Sequence, residues 1–270
     1  MDFHFKAGDL PLLVSMPHVG LDIPDDIARC MTPAARDRAD TDWHLVQLYG
    51  FLQQMGMSTL SARWSRYVVD LNRPPENTNL YPGQDSTGLC PLDTFDKQPL
   101  YLPGQAPDAA EVQRRLAQYW QPYHRQLRSE IDRLLQLHGV VLLWDAHSIA
   151  SMVPRFFDGK LPDLNFGSAD GTTCAAGLMD AVLARAASDP RYSHVHNGRF
   201  KGGYITRHYG QPDKQVHAIQ LEMAQCVYMN ETMNEAAPYA YRPDLAQQVQ
   251  PLLQSMLEAA VDWAGSRRNT

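Results

Sequence analysis

The sequence contains few cysteines, few lysines and no long apolar run. Its longest uninterrupted apolar run, residues 140–144, is far shorter than the roughly 20 residues that a membrane-spanning helix requires. The N-terminal region has no basic flank of the kind that precedes a signal peptide. The four cysteines lie far apart without a CxxC pair, which excludes a small disulfide scaffold and favours free thiols in a reducing compartment. We therefore expect a soluble, unprocessed cytoplasmic protein with no membrane partner.

The chain also has fewer basic than acidic residues. The chain has 24 Lys and Arg against 30 Asp and Glu, a formal net charge of −6, and no Lys/Arg-rich tract. Broad binding to a phosphate backbone needs such a tract, so nucleic acid is not an expected partner. Nineteen of the 24 basic residues are arginines, and a partly buried arginine binds a carboxylate better than lysine does. This composition favours a small acidic ligand.

The order of apolar patterns predicts an α/β fold in one domain. Of 270 residues, 44% are hydrophobic, enough for a full core. Strands are predicted at residues 10–16, 58–62, 67–71, 140–145, 203–207 and 218–223. Helices are predicted at residues 42–55, 108–137, 171–187 and 243–263. Strands that alternate with helices predict a mostly parallel sheet covered on both faces, with ligands bound at the carboxyl ends of its strands.

Residues 74–107 are dense in Pro, Gly, Asn and Asp, and show no periodic pattern. A loop of this length inside a compact domain is uncommon and is more often a lid or a binding loop than a linker. A disordered insertion is the alternative. We predict a long active-site loop within a single domain over residues 1–270.

Two histidines follow predicted strands at the expected ligand-binding edge. His18 leaves the first strand between Pro17 and Gly20, and His147 follows the buried strand that ends in Asp145. A histidine with a carboxylate beside it fits a metal ligand supported from outside the coordination sphere. A general base or a structural histidine fits equally well. Ser148 stands next to His147, but no G-x-S-x-G motif surrounds it, so a serine nucleophile is disfavoured.

A carboxylate near the same edge would complete a set of two histidines and one acid, leaving a fourth metal position for water. Asp40 and Asp42 open a predicted helix, where capping of backbone N–H groups explains one of them but not both. Asp42 is the preferred third ligand and Asp40 the alternative. Histidine and carboxylate ligands accept zinc, cobalt or iron, so we expect Zn²⁺ or another divalent metal such as Co²⁺ or Fe²⁺.

Glu222 stands inside an apolar strand of a chain that has only seven glutamates. A buried carboxylate costs several kcal/mol unless something pairs with it, so Glu222 is either partnered by an arginine or functional. As a functional group it would take a proton from metal-bound water and pass it to a leaving amine.

Arginines and an asparagine cluster around residues 65–73. Asn72 and Arg73 offer donors matched to a carboxylate, and Arg66 would face a carbonyl oxygen that becomes negative during attack. Two later segments with arginines and glycines, 198–204 and 206–210, are candidates for a second carboxylate site, for which Arg207 is chosen. Exposed, solvated arginines are the alternative.

Together these segments resemble the N-formylglutamate amidohydrolase family, also called N-formylglutamate deformylase, over nearly the whole chain. The resemblance rests on PHVG, TDW, SRYVVDLNR, DAHS, KGGY and QLEM at 17–20, 41–43, 65–73, 145–148, 201–204 and 220–223. It implies remote kinship with zinc carboxypeptidases, aspartoacylase and succinylglutamate desuccinylase. It also implies their single-domain, three-layer phosphorylase/hydrolase-like fold, with a mostly parallel mixed sheet flanked by helices.

The resemblance further implies hydrolysis of a linear amide, N-formyl-L-glutamate, to L-glutamate and formate at the last step of histidine degradation. By the pattern of those relatives, Arg66 polarises the scissile carbonyl, Asn72 and Arg73 hold a substrate carboxylate, and Glu222 is the general base and acid. The relatives carry a glutamate three residues after their first zinc histidine, whereas this chain has Leu21 there. The acidic ligand is therefore assigned from the residues, as Asp42.

Two other functions remain open from the sequence. A zinc amidase that removes a larger acyl group or cleaves a peptide-like substrate would use the same metal chemistry. A non-catalytic binder of acidic amino acids would keep the arginines without the metal. The expected partner is a small molecule in each case, and the expected assembly is a monomer or a homodimer.

Overall fold

A computed structural model describes residues 2–231 and 237–266. Its seven strands form one mixed sheet in the order β1-β3-β2-β4-β7-β5-β6. The strands are β1 (Phe3–Lys6), β2 (Leu12–Met16), β3 (Ser58–Ala62), β4 (Val141–Ile149), β5 (Leu164–Gly167), β6 (His194–His196) and β7 (Val216–Ala224). The four strands β3, β2, β4 and β7 are mutually parallel, and β1 and β5 run antiparallel to their neighbours β3 and β7.

Helices cover both faces of this sheet. They are α1 (Asp25–Ala28), α2 (Pro33–Asp37), α3 (Leu45–Leu48), α4 (Leu52–Met55), α5 (Ala109–Arg115), α6 (Gln121–His138), α7 (Ala176–Ala186), α8 (Tyr204–Tyr209) and α9 (Pro243–Ser266). None of the helices in the described residues is both long and apolar enough to cross a membrane.

The central strand β4 shows why the sheet needs two helix layers. Leu142 and Trp144 pack into the core beneath α7 and α9, whereas Val141 and Leu143 pack into the core beneath α6. Successive side chains of a strand point to opposite faces, so an uninterrupted apolar run buries both. This arrangement confirms the predicted α/β fold, with a mostly parallel mixed sheet between two layers of helices.

The predicted helix at 108–137 forms, with one irregular turn. Asp108 caps it by accepting a hydrogen bond from the backbone N–H of Glu111 at 2.9 Å, and Gly139 ends it with a φ of 74°. A π-helical turn at Leu116–Trp120 separates α5 from α6. From this turn the indole of Trp120 donates a hydrogen bond to the backbone carbonyl of Arg73 at 3.1 Å, tying the helix to the candidate site.

Some of the predicted elements are wrong. Residues 67–71 form turns, because the backbone folds around the buried Asp70 instead of pairing with a strand. Residues 203–207, predicted as a strand, belong mostly to α8, whose first backbone N–H groups donate to the carbonyl and side-chain oxygens of Asn72. The helix predicted at 42–55 is two short helices, α3 and α4, and α7 begins at Ala176 instead of at 171. Strands β1, β5 and β6 were not predicted.

Residues 74–107 contain no helix and no strand, only isolated bridges such as Asp93 with Pro99. This segment folds back over the carboxyl ends of the central strands, where it contributes Tyr81, Asp85, Ser86 and Phe95 to the wall of a cavity.

Candidate metal and active site

Three parallel strands bring the chemistry-bearing residues to one edge of the sheet. His18 follows β2, His147 lies near the end of β4, and Glu222 lies near the end of β7. His147 and Glu222 are register partners on the neighbouring strands β4 and β7. The carboxyl ends of parallel strands share an edge, so residues far apart in sequence meet there.

His18, Asp42 and His147 form a buried cluster whose potential ligand atoms all lie within 4.8 Å of one another. Oδ2 of Asp42 is 3.1 Å from Nδ1 of His147 and 3.8 Å from Nδ1 of His18. The backbone N–H of Asp42 also donates to the carbonyl of His18 at 3.1 Å, which holds the Asp42 loop against the end of β2. The structure therefore brings together the three residues that the sequence predicted as metal ligands.

Carboxylates hold the opposite nitrogen of each imidazole. Nε2 of His18 lies 2.7 Å from Oδ1 of Asp70, and Nε2 of His147 lies 3.2 Å from Oδ2 of Asp145. A carboxylate at Nε2 of His18 favours the proton on that nitrogen and leaves Nδ1 as an electron-pair donor. Nε2 of His147 also faces the amide nitrogen of Asn72 at 2.9 Å. Both Nδ1 atoms face Asp42, so the three side chains could hold a metal ion.

The two histidines are in different electrostatic environments. Burial and the charge of Arg66 lower the pKa of His18 below its usual value. Burial also disfavours the charged form of His147, but the Asp145 and Asp42 carboxylates outweigh it and raise the pKa of His147 well above its usual value. Asp70 is buried too, yet the charges of His18 and Arg66 hold its pKa well below its usual value.

Asp40, the alternative acidic ligand, faces elsewhere. Its Oδ2 accepts a hydrogen bond from the backbone N–H of Phe95 at 3.0 Å, and it is not part of the cluster. Burial raises the pKa of Asp40 to about 6. Asp40 therefore anchors the long loop, and of the two candidates only Asp42 lies beside the histidines.

Glu222 is buried, with 8% of its surface exposed, beside the cluster. Its nearest hydrogen-bonding side chain is Gln220, at 3.4 Å, and in the described part of the chain no Lys or Arg forms an ion pair with it. Burial raises the pKa of Glu222 to about 8, with a contribution from the Asp42 charge. The structural Glu–Arg pair considered from the sequence is absent from the described residues, so the functional interpretation is favoured.

Arg66 and Asn72 both reach the cluster but are held by different partners. Nη2 of Arg66 donates to Oδ2 of Asp70 at 2.7 Å, and its guanidinium lies 4.9 Å from the centre of the Phe95 ring. Nδ2 of Asn72 lies 2.9 Å from Nε2 of His147 and 3.2 Å from Oδ2 of Asp145. The amide of Asn72 is thus engaged with the second histidine as well as facing the cavity.

A cavity of about 80 Å³ lies directly over the cluster. It joins the two histidines and Glu222 to a wall of arginines and to the long loop. The lining residues that matter here are His18, Arg66, Asn72, Arg73, Tyr81, Asp85, Phe95, His147, Phe156, Arg199, Phe200 and Glu222. The structure thus places six of the predicted site residues in one wall, with Asp42 behind the histidines.

Arg207 is the one predicted site residue that belongs to neither the cavity lining nor the His/Asp/His cluster. Its Nε donates to the carbonyl of Gly202 at 2.8 Å, and its guanidinium stacks on the outer part of the wall at Tyr81, 5.4 Å from the ring centre. Arg199, from the neighbouring predicted segment, lines the cavity instead. No local pattern distinguishes the two arginines, because their positions depend on how residues 197–203 return to the sheet after β6.

Asp70 is a further residue that the sequence did not single out. It contacts His18 and Arg66 at once, and its Oδ1 accepts the backbone N–H of Asn72 at 2.8 Å. The spacing of four between Arg66 and Asp70 is typical of an ion pair in a helix or a turn. It was not recognised because residues 67–71 were predicted as a strand, in which residues four apart are too far from each other to pair.

Comparison with known proteins shows which family the chain resembles. Residues 10–229 match the family model for N-formylglutamate amidohydrolase. The chain is 50% identical to the N-formylglutamate deformylase of Pseudomonas aeruginosa and 49% identical to that of Pseudomonas putida, with 97% of each chain covered.

Solved structures are similar as well. A crystal structure of N-formylglutamate amidohydrolase from Ralstonia eutropha JMP134 has 25% identity and a TM-score of 0.80, with 100% of this chain and 99% of the other covered. A protein from Agrobacterium tumefaciens shares the fold at 18% identity and a TM-score of 0.72, over 100% and 96% of the two chains.

Fold, site and comparisons define an α/β amidohydrolase, an enzyme that acts on a linear amide bond. The chain belongs to the N-formylglutamate amidohydrolase family.

Proposed function

We propose that the protein hydrolyses N-formyl-L-glutamate to L-glutamate and formate with a divalent metal held by His18, Asp42 and His147. One observation carries the proposal. A single cavity joins the His/Asp/His cluster and the buried Glu222 to Arg73 and other guanidinium groups. The activity named for the Pseudomonas relatives supports it. We further propose that this reaction serves as the last step of histidine degradation in the cytoplasm.

The donor set fits a catalytic metal site. Two imidazole Nδ1 atoms and one carboxylate make three protein ligands, as in catalytic zinc sites that keep a fourth position open. The ligands accept Zn²⁺, Co²⁺ or Fe²⁺, and zinc is the metal we propose. When bound, such a metal polarises a carbonyl group and lowers the pKa of a coordinated water.

Glu222 is the proposed proton carrier. Its carboxyl group borders the cavity and has no ion-pair partner among the described residues, so a carboxylate oxygen is available to the reacting groups. It accepts a proton from the attacking water as the new bond forms to the formyl carbon. It then gives that proton to the nitrogen when the C–N bond breaks, so that the amine of glutamate and formate leave.

Arg66 is the proposed donor to the carbonyl oxygen. Its guanidinium lines the cavity, and its pairing with Asp70 fixes its position, since one Nη group is held at 2.7 Å. A fixed cation at this point stabilises the negative charge that develops on the oxygen during attack. Its Nε has no hydrogen-bond partner in the described structure.

Arg73 is the proposed ligand of one substrate carboxylate. Nε and Nη2 of Arg73 donate to the backbone and side-chain oxygens of Thr87, which hold the guanidinium in place at the cavity wall. Burial lowers the pKa of Arg73 from its usual value, because the positive charge is partly desolvated. An anionic ligand compensates that loss of hydration.

Steady-state kinetics with N-formyl-, N-acetyl- and N-succinyl-L-glutamate, combined with elemental analysis of the purified enzyme, tests the proposal. We expect about one divalent metal ion per chain and a kcat/KM for the formyl substrate at least tenfold above the other two. Comparable rates for all three would identify a less specific zinc amidase. Absence of both metal and hydrolysis would identify a binder of acidic amino acids.

A further inference from the structure

We propose that Arg199 binds the side-chain carboxylate of the substrate and so sets the preference of the enzyme for an acidic amino acid of the length of glutamate. This inference rests on the proposed function and extends it to a residue for which that function gives no role. Arg199 lines the same cavity as the two histidines and Glu222.

The Arg199 side chain is held in a fixed position with its forked end free. Nε donates to the backbone carbonyl of Phe156 at 2.5 Å. The guanidinium carbon lies 5.5 Å from the ring centre of Tyr81 and 5.4 Å from that of Phe200. In the described structure neither Nη group of Arg199 has a hydrogen-bond partner, so both are available to grip a carboxylate in the bidentate manner typical of arginine.

The cavity has more positive charge than its own carboxylates neutralise. Within the described residues, neither Arg73 nor Arg199 has a carboxylate oxygen within 4 Å. Asp85 also lines the cavity, but it already pairs with Lys97 and, at 3.0 Å, with Arg155. Two unpaired guanidinium groups in one small cavity fit a ligand with two carboxylates.

The two arginines differ in their neighbours along the chain and in their free donors. Arg73 follows Asn72, whose amide touches His147, and two of its three nitrogen atoms are occupied by Thr87. Arg199 belongs to the segment after β6 and offers both Nη groups. We therefore assign the α-carboxylate, next to the scissile amide, to Arg73 and the side-chain carboxylate to Arg199.

The aromatic rings around Arg199 restrict the length of the side chain that a substrate can have. Because Tyr81, Phe156 and Phe200 surround the guanidinium, Arg199 cannot follow a shorter ligand without losing these contacts. The side-chain carboxylate of N-formylaspartate lies one methylene nearer to the amide, so it stops short of Arg199. The enzyme then distinguishes glutamate from aspartate substrates because the distance between Arg199 and the proposed metal site is fixed.

The experiment compares N-formyl-L-glutamate with N-formyl-L-glutamine in the metal-loaded wild type, Arg199→Gln, Arg199→Lys and the control Arg185→Gln. Arg185 is an exposed arginine in the last turn of α7, outside the cavity. For Arg199→Gln we expect kcat/KM for N-formylglutamate to fall about 100-fold, mostly through KM, since a charge-assisted bidentate pair is lost. The rate for N-formylglutamine should change less than threefold. Arg199→Lys keeps the charge but not the fork and should lose about tenfold.

An equal loss for both substrates, or no loss in Arg199→Gln, would overturn the inference and leave the deformylase function standing. Calorimetric titration with glutarate and butyrate tests Arg199 without turnover. The wild type should bind the dicarboxylate more tightly than butyrate, and Arg199→Gln should abolish the difference; an unchanged difference would overturn the inference. A wild type without deformylase activity would contradict the proposed function, while the glutarate titration would still decide the role of Arg199.

Discussion

Nδ2 of Asn72 lies 2.9 Å from Nε2 of His147, and the backbone of Gly203 packs directly against the same amide. A Cβ atom at position 203 would lie 2.6 Å from Cγ of Asn72, closer than real Cβ contacts. Oδ1 of Asn72 also accepts the backbone N–H of Ile205 at 2.7 Å, so the side chain fastens the start of α8 to the site. The close approach at Gly203 therefore sets the position of an amide that touches a proposed metal ligand.

Gly203→Ala should displace Asn72 and reduce activity without unfolding the protein. The added methyl group meets the amide, which then loses its contacts with His147 and Asp145, and we expect kcat/KM to fall at least 100-fold. Circular dichroism and steady-state kinetics check this. The matched control is Gly265→Ala in α9, where an added Cβ meets nothing within 4 Å. Full activity in Gly203→Ala would show that the position of Asn72 is not critical.

Glu222→Gln should keep the metal and lose the proton transfer. The amide has nearly the shape of the carboxyl group but cannot accept and return a proton, so we expect kcat to fall by roughly 10²–10⁴-fold. Metal content measured on the same preparation separates this effect from a damaged metal site. The matched control is Glu258→Gln, at an exposed position of α9. A substitution of Gln220 is unsuitable as a control because its side-chain oxygen accepts a hydrogen bond from the backbone N–H of Gly203. A variant with near wild-type turnover would remove Glu222 from the mechanism.

Asp42→Asn and Asp40→Asn form a pair that separates the two acidic candidates. Asp42 lies between the two Nδ1 atoms, whereas Asp40 accepts from the Phe95 backbone, so only Asp42→Asn should lower bound metal. We expect metal occupancy below about one tenth of wild type for Asp42→Asn and near wild type for Asp40→Asn. Inductively coupled plasma analysis after dialysis gives both values. The reverse order would make Asp40 the ligand.

His124 should make the protein less stable in acid. It is buried between Trp120 and Tyr209, with its nitrogens 2.9 Å from the Tyr209 hydroxyl and from the carbonyl of Leu71. Burial lowers its pKa to about 3. The unfolded chain, with an ordinary histidine pKa of about 6.5, binds the proton more tightly, so stability is full above pH 6.5 and falls as pH drops toward 3.

At pH 5 this difference amounts to about 2 kcal/mol of unfolding free energy. His124→Gln, which retains a donor for the Leu71 carbonyl, should therefore lose less stability than wild type between pH 7.5 and pH 5. Urea unfolding curves at the two pH values measure the change for each protein. Equal changes in both proteins would mean that His124 is not the source of acid sensitivity.

The sequence predicted the central architecture because its signals there are local. The apolar run of β4 and the capped amphipathic pattern from Asp108 to Gly139 each fix an element by themselves. It failed at residues 67–71 and 203–207, where β-branched and aromatic residues suggest strands. Long-range partners, Asp70 with His18 and Asn72 with the N-terminus of α8, override that local preference.

The sequence could predict which site residues meet because the carboxyl ends of parallel strands lie at one edge of the sheet. That rule brings His18, His147 and Glu222 together across some two hundred residues, and the structure confirms their proximity. The position of the strand ends does not determine which loop arginine lines the cavity. The sequence analysis therefore chose Arg207, whereas the structure places Arg199 there. The loop at 74–107 lines the cavity, and its closure over bound substrate stays a prediction.

The pairing of His147 with Glu222 across β4 and β7 has an evolutionary consequence. His147 and Glu222, which we propose act on the scissile bond, lie in the hydrogen-bonded centre of the sheet, whereas Tyr81, Arg199 and Phe200 lie on irregular segments at its edge. Substitutions in the loop segments leave the hydrogen bonds between the strands intact, whereas substitutions in β4 and β7 disturb them. Descendants of this chain can therefore acquire new substrates by loop divergence while inheriting the bond-breaking apparatus unchanged.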